Sequence, residues 1–278
     1  MSRFDYPRVI MRCSLVLEWR YIAGRRRRTS HAIDFCSRRR LSSRAKLSIP
    51  TASPWVWTVD GMDADQVLHR DRELPPHAEY MKPAAFNHEL PTDGLVEVAF
   101  SGRSNAGKST LIGTLIRNTK LVRTSKNAGC TTMVNYYGLR NGPAAPMSAY
   151  LVDLPGYGFA RQSRHAVRQW TEAVHNYLIH RPPSVLKRTL VLVDIRHGLQ
   201  PGDLQMMGLL DKAGVGYQVV LTKVDKVTSR ELVETVEKVC RSITWKHPAC
   251  LPVVYCISSV YGSGMQELSN NLCYIMDM

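Results

Sequence analysis

Apolar residues follow two rhythms along the C-terminal two thirds of this chain. Short continuous runs at 95–100, 149–152, 189–195, 217–221 and 252–256 show little alternation. That is the pattern of strands covered on both faces of a largely parallel sheet. Between the runs the spacing becomes helical: Trp170, Val174, Tyr177 and Leu178; Leu232, Val236, Val239 and Ile243; Met265, Leu268, Leu272 and Ile275. These stripes read as core-facing helix surfaces, not as a cofactor box. Strand and helix in alternation predict one α/β domain with helices on both faces of the sheet. A ligand is then expected at the carboxyl ends of the strands.

Polar residues with chemical potential stand where those runs end. After 95–100 comes Gly102-Arg-Ser-Asn-Ala-Gly-Lys-Ser109, the G-x-x-x-x-G-K-S spacing of a phosphate loop between a strand and a helix. Backbone N–H groups from Gly102, Arg103, Ser104, Asn105, Ala106 and Gly107 into the first helical turn converge on phosphate oxygens there. Lys108 is expected between the β- and γ-phosphates, and the Ser109 hydroxyl on Mg²⁺. By itself this loop leaves ATP and GTP undecided.

Three later segments in order point to guanine. Asp153-Leu154-Pro155-Gly156 follows 149–152, so the Asp153 carboxylate can hold Mg²⁺ through water and Gly156 can offer its N–H to the γ-phosphate. Thr222-Lys223-Val224-Asp225 follows 217–221. Guanine presents adjacent N1–H and 2-amino donors that one carboxylate, Asp225, can accept together; adenine has no such pair. A site built on these bonds rejects the wrong base by about four orders of magnitude. Ile257-Ser258-Ser259 then presents a backbone N–H to guanine O6. Taken singly, these segments are also an ordinary turn, a strand exit and a helix cap. Their joint order behind a phosphate loop carries the reading.

On these residues, together with Tyr157-Gly158-Phe-Ala160, Asp194-Ile-Arg-His-Gly198 and Ser258-Ser-Val-Tyr-Gly262, the chain resembles the EngB (YihA/YsxC) family of the TrmE-Era-EngA-EngB-Septin-like GTPases. The resemblance runs from about Pro83 to the C-terminus, and Thr222, where most GTPases carry Asn, fits it. It implies a P-loop NTPase G domain with a mostly parallel six-stranded sheet, bound GTP or GDP with Mg²⁺, and a role in large ribosomal subunit assembly. It also implies that Thr131, with Gly129 beside it, closes over Mg²⁺ in the GTP state, Thr132 being the alternative register. Lys108, Thr131 and Gly156 would then serve hydrolysis. The first switch departs from the family pattern: Ala128-Gly-Cys-Thr-Thr132 replaces Pro-Gly-Arg-Thr-Gln. Ala106 replaces a Val.

Many GTPases orient the attacking water with a glutamine after Asp-x-x-Gly. Tyr157 occupies that position here and has no carboxamide, so slow intrinsic turnover is expected. Asn105 either helps bind K⁺ beside the phosphates, by analogy with cation-dependent relatives, or only braces the loop. Arg117, Lys120, Arg123 and Lys126 lead into the first switch, and Arg161, Arg164 and Arg168 flank the second. They form either an rRNA-contacting surface or a solvated basic face. Two further functional readings stay open: a non-hydrolysing, GTP-gated rRNA-binding assembly factor, and a GTPase associated with cell division and septation.

Charge changes the picture at one end only. The 278 residues carry a formal charge of +14, of which residues 1–50 supply +10, with 13 Lys and Arg against Asp5, Glu18 and Asp34. Arginine runs with serines and few acids are the composition of an organelle transit peptide, with Met1 or Met11 as the start. Import into the mitochondrial matrix is the leading expectation. Plastid import, a cytoplasmic protein with a basic RNA-binding arm, and a disordered extension are the alternatives. Residues 51–82 read as a linker and 83–278 as the GTPase domain. Seven cysteines with no C-x-x-C pair argue against disulfides or zinc and for a reducing compartment. His165 and His175 carry no assigned chemistry, while His197 is expected to shape the loop near the nucleotide. No apolar run has the length of a membrane span, and a soluble monomer is expected.

Overall fold

A computed structural model of the protein describes residues 47–48, 53–59, 72–81, 84–85, 90–122, 133–158 and 164–278. The five expected apolar runs are strands β5 (Val96–Gly102), β7 (Ala149–Asp153), β8 (Leu186–Asp194), β9 (Tyr217–Thr222) and β10 (Cys250–Ile257). They pair in parallel in the order β10, β9, β8, β5, β7. A sixth strand, β6 (Met133–Arg140), lies antiparallel beside β7. These six are the G-domain sheet expected from the motifs.

Neighbouring residues along each strand enter opposite cores. Ala99, Val191, Val193, Val219 and Leu221 pack on one side with helices α2 (Arg164–His180), α3 (Pro201–Ala213) and α4 (Ser229–Lys246). Val98, Phe100, Leu190, Leu192 and Val220 pack on the other with α1 (Lys108–Leu115) and α5 (Met265–Ile275). Both sets are apolar, which is why the strands read as continuous runs and not as alternating ones. At about 1.5–3 kcal/mol for each fully buried aliphatic side chain, two filled cores leave little freedom for register slip.

The helical stripes lie where their periodicity places them. Trp170, Val174, Tyr177 and Leu178 bury on α2, and Leu232, Val236, Val239 and Ile243 on α4. Leu268 and Leu272 bury on α5 with Met265 and Ile275 packed at their edge. Helix α4 starts on a reciprocal Thr228–Glu231 capping box. Helix α3 starts on a Gln200–Asp203 box with Pro201 in its first turn, and ends at Gly214.

Residues 51–82, read as a linker, and the positions just outside them also contribute strands to the sheet. Strand β2 (Val56–Val59) pairs antiparallel with the outer edge of β10, and β1 (Leu47–Ser48) pairs with β2. At the other edge β3 (His77–Tyr80) and β4 (Ala84–Ala85) pair with β6. With these, ten strands are found among the described residues. Val56, Trp57 and Val59 are buried, and Ser53 donates to Glu267 on α5 at 2.5 Å. A four-residue run beside Pro54 gives little periodicity to detect. Its burial follows from the open edge of β10, whose unpaired backbone groups need a partner.

Candidate nucleotide-binding site

Gly102 ends β5, and the next residues turn tightly into α1. Asn105 (φ 67°) and Gly107 (φ 94°) take left-handed conformations, and the Ala106 N–H bonds the Arg103 carbonyl at 2.9 Å. Gly107 is the N-terminal cap of α1 and has no side chain to satisfy the first-turn N–H groups. Those donors, at the positive end of the helix dipole, are the ones a phosphate takes. Lys108 reaches back over the loop to donate to the Gly102 carbonyl at 3.3 Å. Burial pushes its pKa down, against the pull of Asp153.

Asp153 emerges buried at the end of β7, as expected. Burial pushes its pKa up, while the Lys108 ammonium and the Ser109 hydroxyl pull it down. Its Oδ1 is buried without a hydrogen-bond partner. A hard cation with bound water beside Ser109 and Asp153 would satisfy that oxygen, so these two residues fit Mg²⁺. Leu154 is tied to β5 by its N–H to the Phe100 carbonyl at 3.0 Å. Gly156 follows Pro155 at a close-packed point: a Cβ there would lie 3.1 Å from Ser104 Oγ and 3.2 Å from Lys108 Nζ, so either side chain would have to give way by a few tenths of an ångström. Its backbone therefore stands beside the lysine that is to meet the γ-phosphate.

The residues expected to read the base converge on the same loop from the ends of β9 and β10. Thr222 donates from Oγ1 to the Ala106 carbonyl at 2.8 Å. Lys223, in a left-handed conformation (φ 61°), donates from Nζ to the Asn105 carbonyl at 2.6 Å and to Asp194 Oδ2 at 2.8 Å. A lysine at positive φ costs of order 1 kcal/mol and persists where its surroundings hold it. Val224 is buried beneath a short 3₁₀ turn that carries Asp225. Ser258 donates from Oγ to Asp225 Oδ1 at 2.7 Å, and Lys226 lies 3.3 Å from Oδ2. Burial would raise the Asp225 pKa, but these partners outweigh it and hold the carboxyl below its usual range. An ionised carboxylate is the state that accepts two guanine donors. Ile257 is the last residue of β10, and Ser258 and Ser259 open the loop beyond it.

Residues 102–109, 153–156, 222–225 and 257–259 are thus brought to one end of the sheet. Gly129, Thr131 and Thr132 lie outside the described residues, as do Arg123, Lys126 and Arg161. Arg117 forms an exposed ion pair with Glu73 at 2.9 Å, and Lys120 and Arg168 are exposed. Asn105 holds Lys223 through its carbonyl, which is a bracing contact. His197 donates its N–H to the Asp194 carbonyl and accepts from Gln200 at its own carbonyl, so its backbone shapes the loop after β8.

Sequence reading missed Asp194 as a site residue, although it stands at the carboxyl end of β8, a position that signals a ligand-facing side chain. It missed Asp203 and Trp170 as partners of the Asp-Leu-Pro-Gly segment, since nothing local marks them. A cavity of about 250 Å³ lies beside the phosphate loop, lined in part by Arg103, Asn105, Asp194, Arg196 and Asp203. Lys108, Ser109 and Asp225 do not line it.

Known proteins resemble this chain in sequence and in fold. Residues 97–223 match the family model described as 50S ribosome-binding GTPase. The probable GTP-binding protein EngB of Brucella melitensis is 44% identical over 184 residues, covering 64% of this chain and 74% of that protein. The one from Rhodopseudomonas palustris is 44% identical over 221 residues, covering 78% and 98%. The crystal structure of a probable GTP-binding protein EngB aligns with a TM-score of 0.50 at 22% identity, over 66% of this chain and 99% of that one, a likeness of fold. With the G-domain sheet and the phosphate-loop turn in place, the chain belongs to the EngB family of GTP-binding proteins, GTPases of the ribosome-associated class.

Proposed function

We propose that this GTPase is a Mg²⁺-dependent nucleotide switch in assembly of the large ribosomal subunit, acting in the mitochondrial matrix. The observation that carries the reading is the convergence of Lys108, Asp153, Gly156 and Asp225 on one end of the sheet. Lys108 and the first turn of α1 hold the phosphates, and Asp225 with the Ser258–Ser259 loop reads guanine. Ser109 and Asp153 would hold Mg²⁺, which when bound screens the β- and γ-phosphate oxygens. Gly156, pressed against Lys108, responds to the γ-phosphate, and Thr131 is expected to close from the first switch.

The ribosomal target is supported by the family description and by the basic residues that flank both switches. Clustered cations on loops ordered by GTP would grip rRNA phosphates only in that state. The mitochondrial address is supported by the arginine-rich, acid-poor residues 1–50. The test is co-sedimentation of GTP-loaded and GDP-loaded protein with large subunits from isolated mitochondria across a salt series. Preferential binding of the GTP form that weakens steeply with salt is expected. Indifference to the nucleotide removes the switch. K⁺ beside Asn105 belongs to the same reading, and equal turnover in K⁺ and Na⁺ removes it.

One observation favours a second reading. Tyr157, at the position of the usual water-orienting glutamine, is buried and bonded to Asp203. GTP would then act as a clamp with negligible hydrolysis, and multiple-turnover phosphate release in the presence of subunits separates the two. A role in cell division or septation would follow from impaired ribosome production.

A further inference from the structure

Gly156 is held by what grips the residues on either side of it. On one side, the Trp170 indole N–H from α2 donates to the Pro155 carbonyl at 3.0 Å. On the other, the Tyr157 carbonyl accepts the Ser104 N–H from the phosphate loop at 2.9 Å. The Tyr157 ring packs edge-on against Trp170, with centroids 5.3 Å apart. It lies so close to α3 that a Cβ on Gly202 would come within 3.0 Å of it. At its tip the Tyr157 hydroxyl donates to Asp203 Oδ1 at 2.9 Å. The other oxygen of that carboxylate accepts the Gln200 N–H at 2.8 Å, closing the cap of α3. One buried carboxylate therefore serves both the start of α3 and the residue that follows the switch glycine.

We infer that Tyr157 and Asp203 form a latch that positions Gly156 for the γ-phosphate and couples its movement to the N-terminus of α3. Tyr157 is thus a positioning residue for the GTP state. The inference rests on the nucleotide-switch reading and names the device within it. A Gly156 N–H that turns toward a third phosphate moves the tyrosine that follows it, and the hydroxyl, held on Asp203, carries the start of α3 along. GDP has no γ-phosphate and leaves the latch untouched.

The test uses the full chain with GDP and a non-hydrolysable GTP analogue. Tyr157→Phe keeps the ring and its packing but removes the donor. Asp203→Asn leaves one acceptor where two donors, Tyr157 and Gln200, need one each. Both variants should bind GDP within about twofold of the parent, whereas the ratio of GTP-analogue to GDP affinity should fall about fivefold, the scale of one hydrogen bond. The double variant should shift that ratio no further than either single one, because the two side chains act as a unit. The latch is overturned if both nucleotides weaken together with a fall in melting temperature, if the ratio is unchanged, or if the single effects add in full. A parent protein that binds neither nucleotide refutes the switch reading itself, and so is told apart from failure of the latch.

Discussion

The Thr222 hydroxyl and the Ala106 carbonyl, 116 residues apart, meet at 2.8 Å and join the guanine-reading segment to the phosphate loop. Most GTPases place Asn at this position, and the hydroxyl here supplies the donor that ties the two motifs together. Thr222→Val keeps the volume and leaves the carbonyl without its partner. A loss of about 1–2 kcal/mol is expected, or roughly fivefold to thirtyfold weaker binding. GTP and GDP should be affected alike, because the bond supports the loop and not the γ-phosphate. Titration calorimetry checks this, with Thr222→Ser retaining most of the affinity.

Asp225 accepts from Ser258 and lies against Lys226, and under the proposed function its carboxylate accepts two donors from one base edge. Asp225→Asn replaces one acceptor by a donor. GTP affinity should fall by about three to four orders of magnitude. Xanthosine triphosphate, which carries a carbonyl in place of the 2-amino group, should gain. Competition between the two nucleotides for the variant reads this directly, and unchanged preference for GTP would remove Asp225 from the base site.

Asp194 is gripped by Arg196 through both carboxylate oxygens and by Lys223 at 2.8 Å. Burial alone would raise its pKa, but these hydrogen bonds outweigh it and hold the carboxyl well below the usual range. An acid with a depressed folded pKa contributes stability above its unfolded value, near 3.9, that is lost as pH falls through the folded one. Asp194→Asn should therefore cost stability at neutral pH and flatten the acid limb of the stability curve below about pH 4. Denaturant titrations at a series of pH values measure both effects.

At the opposite end of β5, Glu97 and Arg181 form a buried pair at 2.7 Å, with side chains 1% and 9% exposed. Burial pushes the Glu97 pKa up further than the Tyr177 hydroxyl and Arg181 pull it down. Arg181→Met strands that carboxylate, for an expected loss of about 3–5 kcal/mol. The melting temperature should drop by roughly 6–20 °C, while nucleotide affinity, read by titration, stays near the parent value. Replacing both partners with apolar residues should recover much of the loss.

What was legible in the sequence was written in short segments. The phosphate loop keeps its chemistry within eight residues because one strand-to-helix turn builds it, and Asp153 and Asp225 are marked by the apolar runs they terminate. The helices on α2, α4 and α5 announced their inner faces because a 3.6-residue period must show wherever one side is buried. Strand β2 escaped notice because four residues carry too little period. Tyr157 could be seen to lack a carboxamide, but not where its ring would go. Asp203 gave no local signal, since its partner Tyr157 is 46 residues away.

By itself, the sequence determined the class of fold, the order of the nucleotide-contacting segments and the preference for guanine, because each is set by residue type and local spacing. Only the tertiary structure decided that Thr222 and Lys223 brace the phosphate loop, that Asp194 holds Lys223, that Tyr157 turns inward to Asp203 and that β2 closes the edge of β10. The physical reason is common to all four. Hydrogen bonds and edge pairings between distant segments exist only once burial of the two cores has brought those segments together, and nothing in the local pattern of either partner names the other.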